Sequence, residues 1–480
     1  MKISLIGLGC SGTLVLRELS KCLPSDSRIE LLLFDESNCY GPGLPYGEDT
    51  NIDSFVLNMK ESTLGANSSN TSEFNEWLRA IDNTSYGAKT DHRKRVLMGK
   101  YLGEIFRSSL RELRNKNISY TLLGDSVIDI TKKNDSYAVF TEHRCYISDK
   151  VVMATGHLPK KNPFGSNEKY IANPYHSIGK LYSLPKNGNI GILGSKLTAV
   201  DMAIFLGEYG CKNIYMFSKS GRLPLVQKKV TELKRYPKFN KPSANRLTAF
   251  INEFRRLLRE NRVADEYLGL ISTKDALASL YLELKNHSSS RDWLPILDRS
   301  KKFIDEFWLE LPDNQKKLFD RKYRGLWMQM RHQMPHENAE KIYDLMTSNI
   351  LKVCSGYKSI SEVDDGFNLD YSGNQTKLDY VIDASGSSID VDKIDSLLFY
   401  NLTKSEFIKK HNYGGVKIDT KSFELDGNRG VYAIGQLTQG TIFYVSAIER
   451  IVVHSKLIAK NIVNSMHIKN IVDVKEMEYE

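Results

Sequence analysis

The chain has 480 residues, of which 41% are hydrophobic and 26% are charged, and its formal net charge is +9. This length favours two or three domains, and the composition is that of a globular protein rather than a disordered one. No apolar run approaches the ~20 residues that span a bilayer, so we expect no membrane partner. The six cysteines are scattered and no His or Cys pair has zinc-site spacing, which predicts reduced thiols in a cytoplasm and no metal site.

A short apolar strand opens the chain and runs directly into the glycines Gly7, Gly9 and Gly12. A second apolar strand ends at Asp35, about 20 residues further on, and together these features form the dinucleotide-binding fingerprint. Gly7 permits a tight turn, Gly9 lets the backbone approach a pyrophosphate, and Gly12 lets the following helix pack on the sheet. Asp35 would accept a hydrogen bond from a ribose hydroxyl. The alternative is a glycine turn that binds nothing.

Cys10 lies inside this glycine loop and allows two other interpretations. The sequence Leu8-Gly9-Cys10 resembles a lipoprotein cleavage box, but the preceding apolar segment is shorter than the ~7–15 residues of a signal core, so we expect no export. Cys10 could also be a redox thiol, although a small residue packed in the loop is the simpler interpretation.

Later in the chain, five more apolar strands are each followed by small residues. They lie at 149–156, 189–194, 213–218, 378–386 and 430–435. Near-continuous apolar strands separated by helices predict parallel sheets that are covered on both faces. A second strand–glycine–helix start at Gly194 predicts a second nucleotide-binding unit.

The second glycine loop has Lys196 where a good loop has glycine. The lysine would crowd a phosphate, contact it through its ammonium group, or fill a site that no longer binds. The next strand ends in cations and a hydroxyl, which suit the 2′-phosphate of NADP, whereas Asp35 suits the free ribose of FAD. These cations could instead lie on a solvated edge. The candidate residues of this NADPH site are Gly194, Ser195, Lys196, Thr198, Ser218, Lys219 and Arg222.

These patterns predict an α/β fold with two Rossmann-like dinucleotide-binding domains, one for FAD and one for NAD(P), and a helical insertion. The FAD-binding domain is predicted over 1–160 and 387–480, and the NAD(P)-binding domain over 161–222 and 346–386. The insertion, 223–345, is charged and has apolar residues at helical spacing. Its basic residues include Lys228, Lys229, Lys234, Arg235, Arg255, Arg256, Arg259 and Arg262. Without a nucleic-acid motif, a solvated helix face or a funnel for anions is favoured over nucleic-acid binding.

Eight further segments form an ordered series of motifs. They are Gly41–Gly47, Leu57-Asn58-Met59, Arg95…Gly99-x-Tyr101, Ala154-Thr155-Gly156, Leu197–Asp201, Gly221–Pro224, Trp327…Arg331-His332-Gln333-Met334-Pro335 and Ile434–Thr441. Together with the glycine loops, this series resembles bacterial FAD/NAD(P)-binding proteins, two-dinucleotide flavoproteins distantly related to the flavin-dependent N-hydroxylating monooxygenases. Lys196 departs from that pattern, and Gln333 replaces an arginine.

The resemblance implies which residues hold the flavin. The candidates are Gly7, Gly9, Cys10, Ser11, Gly12, Asp35, Tyr46, Asn58, Met59, Arg95, Thr155, Gly156, Gly435, Gly440 and Thr441. Gly435, Gly440 and Thr441 would lie near the isoalloxazine at a helix start, where Thr441 could instead cap the helix. His157, Arg331 and His332 are the candidate catalytic residues, and His157 would lie near the junction of flavin and nicotinamide.

The leading hypothesis from this resemblance is an FAD-dependent monooxygenase that uses NADPH and N-hydroxylates a small amine or amino acid. The basic insertion favours an anionic substrate and would shape a pocket or lid. One alternative, favoured by Lys196, is an FAD-dependent dehydrogenase or oxidase that does not use NADPH. The other is a non-catalytic flavin- or nucleotide-binding protein whose basic helices dock a partner. We expect no nucleic-acid partner, and a homo-oligomer is left open.

Overall fold

The computed structural model describes the chain except residues 62–63, 82–91, 158, 229–245, 266–267, 270–272, 274, 287–288, 446 and 478–480. The basic residues Lys229, Lys234 and Arg235 therefore lie outside the described residues. The chain divides into two compact units. Unit 1 is Met1–Lys161 with Ser387–Glu480, and unit 2 is Asn162–Gly386.

The N-terminal part of unit 1 alternates strands and helices and ends in a strand of the main sheet. Its elements are β1 (Lys2–Ile6), α1 (Cys10–Cys22), β2 (Glu30–Phe34), α2 (Glu73–Ile81), α3 (Arg95–Asn115), β3 (Ser119–Leu123), β4 (Val127–Lys133), β5 (Ser136–Thr141), β6 (Cys145–Ser148) and β7 (Lys150–Met153). Short 3-10 helices cover Leu44–Tyr46 and Glu48–Thr50.

Unit 2 follows with strands at both ends and helices between them. Its elements are β8 (Tyr170–Ile171), α4 (Ile178–Leu181), β9 (Asn189–Leu193), α5 (Leu197–Tyr209), β10 (Asn213–Phe217), α6 (Leu247–Glu260), α7 (Ala276–Lys285), α8 (Leu294–Glu310), α9 (Asp313–Lys322), α10 (Arg324–Arg331), α11 (His336–Thr347), β11 (Leu351–Cys354), β12 (Tyr357–Val363), β13 (Gly366–Tyr371), β14 (Asn374–Leu378) and β15 (Tyr380–Asp383). The chain then returns to unit 1 with α12 (Leu397–Lys404), β16 (Glu424–Leu425), β17 (Asn428–Ala433) and α13 (Ile448–Met477).

The main sheet of unit 1 has the strand order β16-β17-β7-β1-β2-β3. All of its strands are parallel except the edge strand β16. Ile3 on the central strand lies opposite Leu31 of β2 and Lys150 of β7, and α1 packs against α3 and α13. Leu5 and Val152 are fully buried, as the strands of a parallel sheet covered by helices should be.

Unit 2 repeats this topology. Its sheet has the order β11-β10-β9-β15-β8, and every pair in it is parallel. In each unit the first strand of the glycine motif is central, the next two lie to one side, and a three-stranded antiparallel sheet precedes the strand on its other side. The antiparallel sheets are β4-β5-β6 and β12-β13-β14. The predicted α/β fold with two Rossmann-like sheets is confirmed.

The described residues between β10 and β11 are mainly helical, from α6 to α11. Phe250 of α6 stacks on Phe307 of α8, with ring centroids 4.9 Å apart. On the outer side of α6, Arg255 and Arg259 are exposed, and Arg256 pairs with two glutamates of the same helix. This is the arrangement of a solvated helix face. Within the described ranges, the structure has no helix that is both long and apolar enough to cross a bilayer.

Candidate functional site

The loop between β1 and α1 packs so closely against neighbouring backbone that its glycine positions have no room for a side chain. Gly7 has φ +90°, and a Cβ there would lie 2.5 Å from the Ala154 carbonyl oxygen. A Cβ on Gly12 would collide with the carbonyl oxygen of Gly7. Gly9 is the N-cap of α1, and a Cβ on it would lie 3.0 Å from the Cα of Gly43. The first N–H groups of α1 therefore face a cradle formed by bare backbone, which is the arrangement that binds a pyrophosphate.

Asp35 is fixed beside this loop at the end of β2. Its Oδ2 accepts a hydrogen bond from the Leu8 N–H at 2.7 Å, and its Oδ1 accepts one from the Ser37 N–H at 3.0 Å. The Ser37 hydroxyl also donates to Oδ1. The carboxylate therefore lies at the edge of the sheet where a dinucleotide ribose is bound in Rossmann folds.

The start of α3 joins three of the predicted flavin segments. Helix α3 touches the 3-10 helix of Tyr46, since a Cβ on Gly99 would collide with the Tyr46 carbonyl oxygen. The Nε of Arg95 donates to the Val56 carbonyl at 3.1 Å, just before the half-buried Asn58 and Met59. Burial raises the pKa of the Tyr46 phenol, and the charge of Arg95 opposes that rise.

The turn that follows strand β7 contains a buried hydroxyl group that makes no hydrogen bond to the described residues. Thr155 Oγ1 is buried and has no hydrogen-bond partner among the described residues. The adjacent Gly156 has φ +66°, and a Cβ on it would meet nothing within 4 Å. Buried hydroxyls without a partner are uncommon in proteins, so this one indicates a place for a polar group of a bound molecule.

The C-terminal loop brings Gly435 to the glycine loop, because a Cβ on it would lie 3.0 Å from the Ser11 Oγ. Gly440, at φ +99°, packs against the Gly414 backbone. The Thr441 hydroxyl donates to the Val416 carbonyl at 3.1 Å. Helix α13 begins only at Ile448, and the helical start at this loop is the 3-10 helix Gly435–Thr438. Capping of the helix by Thr441 is therefore wrong, because its hydroxyl fixes a neighbouring loop.

The residues of unit 1 thus fit a flavin dinucleotide. The open helix start, the fixed carboxylate of Asp35, the orphan hydroxyl of Thr155 and the close approach of Gly435 lie in one unit. Sequence reasoning missed Gly43, which has φ +63° and approaches the N–H of Cys10. The sequence did indicate its neighbourhood, since Gly43 lies within the Gly41–Gly47 motif.

We expect Cys10 to be chemically inert. Burial raises the pKa of its thiol to about 12, so at pH 8 only about one molecule in ten thousand carries the reactive thiolate. Cys22 and Cys145 are exposed and serve as internal references. Timed iodoacetamide labelling followed by peptide mass spectrometry should show those two modified long before Cys10. Labelling of Cys10 at an equal rate would contradict this expectation and revive its interpretation as a redox thiol.

The second glycine loop repeats the backbone relations of the first. Gly194 has φ +114°, and a Cβ there would lie 2.5 Å from the Ala384 carbonyl oxygen. Lys196 is the N-cap of α5, the position that Gly9 has on α1, and its φ of −101° is extended backbone that any residue adopts. The Lys196 ammonium has no hydrogen bond or ion pair with any residue that the structure describes. Burial and the charge of Arg222 lower its pKa to about 8.

Hydroxyl groups connect this loop to the end of β10. The Ser195 hydroxyl lies 2.9 Å from Ser218 Oγ and donates to the Arg222 carbonyl at 2.8 Å. Ser218 Oγ in turn accepts from the Gly221 N–H at 3.0 Å. Lys219 is exposed, whereas Arg222 and Thr198 are half-buried. The structure therefore brings Ser195, Ser218 and Arg222 together beside Lys196 and leaves Lys219 at the surface.

The three candidate catalytic residues belong to different units. His157 follows Gly156 in unit 1, is exposed, and has its Nδ1 3.0 Å from Ser387 Oγ. Arg331 is the last residue of α10 in unit 2, and His332 follows it; both are half-buried. Nothing in the sequence pointed to Ser387. Among the described His, Cys, Asp and Glu side chains, no group of three is placed to hold a metal ion.

Residues 4–158 match the protein-family model described as FAD-NAD(P)-binding. This range runs from β1 past the Ala-Thr-Gly turn, and it includes the glycine loop, Asp35 and the start of α3. No curated protein sequence matches the chain.

Among solved structures, the chain is similar to three monooxygenases. The ornithine N-hydroxylase KtzI of Kutzneria sp. 744, described with FADred, NADP+ and L-orn, is 12% identical, with 97% of this chain and 99% of that chain covered and a TM-score of 0.57. The L-lysine 6-monooxygenase of Pseudomonas syringae is 12% identical, with 96% and 98% covered and a TM-score of 0.59. The FAD-bound cadaverine monooxygenase DfoA of Erwinia amylovora is 12% identical, with 96% and 94% covered and a TM-score of 0.56. The predicted flavoprotein fold is thereby confirmed.

Proposed function

We propose that this protein is an FAD-dependent monooxygenase that uses NADPH and acts on a small, anionic amine or amino acid. The observation that carries the proposal is the presence of two glycine loops in one chain. The first lies beside the carboxylate of Asp35, and the second carries Lys196 close to the charge of Arg222. The three similar monooxygenases support it, since their names give ornithine, lysine and cadaverine as substrates and FAD and NADP+ as bound groups.

When bound, FAD would supply the redox chemistry that accepts hydride from NADPH and activates oxygen. The residues of this chain would bind and orient it. The N–H groups at the start of α1 would hold the pyrophosphate, Asp35 the adenosine ribose, and Thr155 Oγ1 a polar group of the cofactor. His157, whose Nδ1 lies 3.0 Å from the Ser387 hydroxyl, would hold or transfer a proton. Arg331 and His332 would bind the carboxylate of an anionic substrate.

A second candidate function has a specific observation in its favour. Lys196 replaces the glycine that lets a nucleotide phosphate approach the backbone, and its Cβ stands at the N-cap of α5. An FAD-dependent dehydrogenase or oxidase whose substrate reduces the flavin directly would not need this second site. Flavin reduction by NADPH separates the two functions.

The deciding experiment is anaerobic mixing of the purified, FAD-loaded protein with NADPH while the visible absorbance of the flavin is followed. Rapid bleaching is expected, and turnover with oxygen and a panel of amines and amino acids would then identify the substrate. A flavin that dithionite reduces but NADPH does not would overturn the NADPH-dependent function in favour of the second candidate. A protein that forms no product with any reductant would be a non-catalytic flavoprotein.

We expect the affinity for NADPH to fall as pH rises through about 8. The ammonium form of Lys196 attracts a phosphate, and the amine form, which prevails above its lowered pKa, does not. Replacement Lys196→Met should weaken NADPH binding roughly ten-fold and remove this pH dependence, as the loss of a charge-assisted hydrogen bond does. Titrations from pH 6.5 to 9.5 would measure both effects.

The exposed Lys212, beyond the C-terminal end of α5, provides the matched control, and Lys212→Met should leave NADPH affinity and its pH dependence unchanged. If Lys196→Gly or Lys196→Met instead strengthened NADPH binding, the native lysine would be an obstruction rather than a phosphate ligand.

A further inference from the structure

The segment that carries Arg222 continues as buried backbone without regular secondary structure. Leu223, Leu225 and Val226 are 6%, 4% and 0% exposed, yet residues 221–225 belong to no helix or strand. Buried backbone of this kind needs partners for its N–H and C=O groups. One β-bridge supplies two of them, since the Met334 N–H donates to the Leu225 carbonyl at 2.8 Å and the Gln227 N–H donates to the Met334 carbonyl at 2.9 Å.

The other partners are side chains from later in the helical insertion. Gln329 of α10 donates from Nε2 to the Leu223 carbonyl at 2.9 Å. Glu283 of α7 accepts from the Val226 N–H at 3.0 Å, and Arg291 donates to the Val226 carbonyl at 2.8 Å. Gln329, Glu283 and Arg291 are themselves 7%, 4% and 1% exposed, so their side chains have few alternative positions.

On its other side, the same segment is tied to the second glycine loop. The Ser195 hydroxyl donates to the Arg222 carbonyl, and the adjacent residue Lys196 has its pKa lowered by burial and by the charge of Arg222. The backbone of Arg222 is therefore fixed between Ser195 and, one residue later, the bond from Gln329. Arg222, Glu283 and Gln329 also line one small cavity. Fixing the backbone of a long, flexible side chain reduces the entropy that it loses when it binds a ligand.

We propose that Gln329, acting beside the buried Glu283–Arg291 pair that binds Val226, is a positioning residue that holds Arg222 beside Lys196 and so gives the second site its preference for NADPH over NADH. This inference rests on the proposed function, since it assumes that the second site binds a dinucleotide. The insertion is then a specificity element as well as a wall or lid for a substrate.

The test compares Gln329→Met with Gln315→Met. Both replacements remove an amide of similar size from the insertion, but Gln315 accepts a hydrogen bond from the Leu247 N–H, far along the chain from Arg222. We expect Gln329→Met to raise the Kd for NADPH about ten-fold and the Kd for NADH less than two-fold, with unchanged FAD content and unchanged rate of flavin reduction at saturating NADPH. Gln315→Met should leave the ratio of the two affinities unaltered. If Gln329→Met does not fold, Gln329→Asn is used instead. The shorter side chain withdraws the amide from the Leu223 carbonyl with a smaller change in packing.

Two further measurements separate a positioning role from a general structural one. In the Arg222→Met background, Gln329→Met should have no additional effect on NADPH affinity, because it acts through Arg222. Amide hydrogen exchange without nucleotide should become faster at residues 222–227 in Gln329→Met and not in Gln315→Met. Equal losses for NADPH and NADH, or additive losses with Arg222→Met, would overturn the inference.

The proposed function can fail separately. If the wild-type protein binds neither nucleotide while the exchange at 222–227 still increases in Gln329→Met, the second site is not a dinucleotide site, and the selectivity assigned to Gln329 falls with it. If the wild type binds NADPH and neither exchange nor selectivity changes in Gln329→Met, the proposed function stands and the positioning role is excluded.

Discussion

Replacement of Gly12 by alanine is expected to abolish FAD binding. A Cβ at this position would collide with the carbonyl oxygen of Gly7, a backbone atom that cannot rotate away, and would also lie 2.9 Å from the carbonyl carbon. Relief requires that α1 move away from the loop, which takes its first N–H groups out of position for a pyrophosphate. Overpacking of this kind destabilises proteins by about 1–3 kcal/mol or more. The bound flavin after purification and the free energy of unfolding in urea would measure both effects.

The control for this replacement is Gly103→Ala, in helix α3 of the same unit. The nearest atom to a Cβ there is Nη1 of the flexible Arg107 side chain, at 3.5 Å. An alanine in a helix interior is more stable than a glycine by about 0.5–1 kcal/mol, so Gly103→Ala should keep its FAD and unfold at the same or a higher urea concentration. If Gly12→Ala also retained a full complement of FAD, the glycine loop would not be the flavin site.

The parts of the fold that could be predicted are those in which local sequence specifies backbone geometry. Gly7, Gly12 and Asp35 follow from spacing alone, because a strand, a tight turn and a helix can meet in few ways when side chains are excluded. The equivalence of Lys196 with Gly9 could also be predicted, since each lies two residues after the glycine that ends an apolar strand. Because the two main sheets share this strand order, the local patterns at the two glycine loops were enough to predict the architecture of both units.

The parts that could not be predicted depend on contacts between distant segments. Whether Thr441 caps a helix depends on where Val416 lies. Its hydroxyl donates to the Val416 carbonyl, which is 25 residues earlier in the chain. The hydrogen bond from Gln329 to the Leu223 carbonyl, next to Arg222, joins residues more than 100 positions apart. In the sequence, the charges of Glu283 and Arg291 look like those of any solvated helix, because such residues are almost always exposed. Only the fold shows that this pair is buried.

That burial predicts the second large effect: Arg291→Met should destabilise unit 2 by about 3–5 kcal/mol, because it leaves the carboxylate of Glu283 buried without its close partner. The Arg291 Nη2 lies 2.5 Å from Glu283 Oε2, and the two side chains are only 1% and 5% exposed. Lys228, whose side chain is only 6% exposed, keeps an ammonium 3.8 Å from the other carboxylate oxygen, so we expect the loss at the lower end of this range. Urea unfolding followed by far-UV circular dichroism would measure the loss. The exposed pair Lys317–Asp313 is the control, and Lys317→Met should cost less than about 1 kcal/mol.

The triple variant Lys228→Met, Glu283→Gln and Arg291→Met tests the cause. The introduced amide would keep an acceptor for the Val226 N–H, which Glu283 now satisfies at 3.0 Å, and the three replacements together would remove every charge of this buried group. The triple variant should therefore recover part of the stability lost in Arg291→Met, since replacing all members of a buried ion group costs less than removing one. Equal instability of the single and triple variants would mean that Arg291 stabilises unit 2 through its bond to the Val226 carbonyl and its packing on Trp293, rather than through charge.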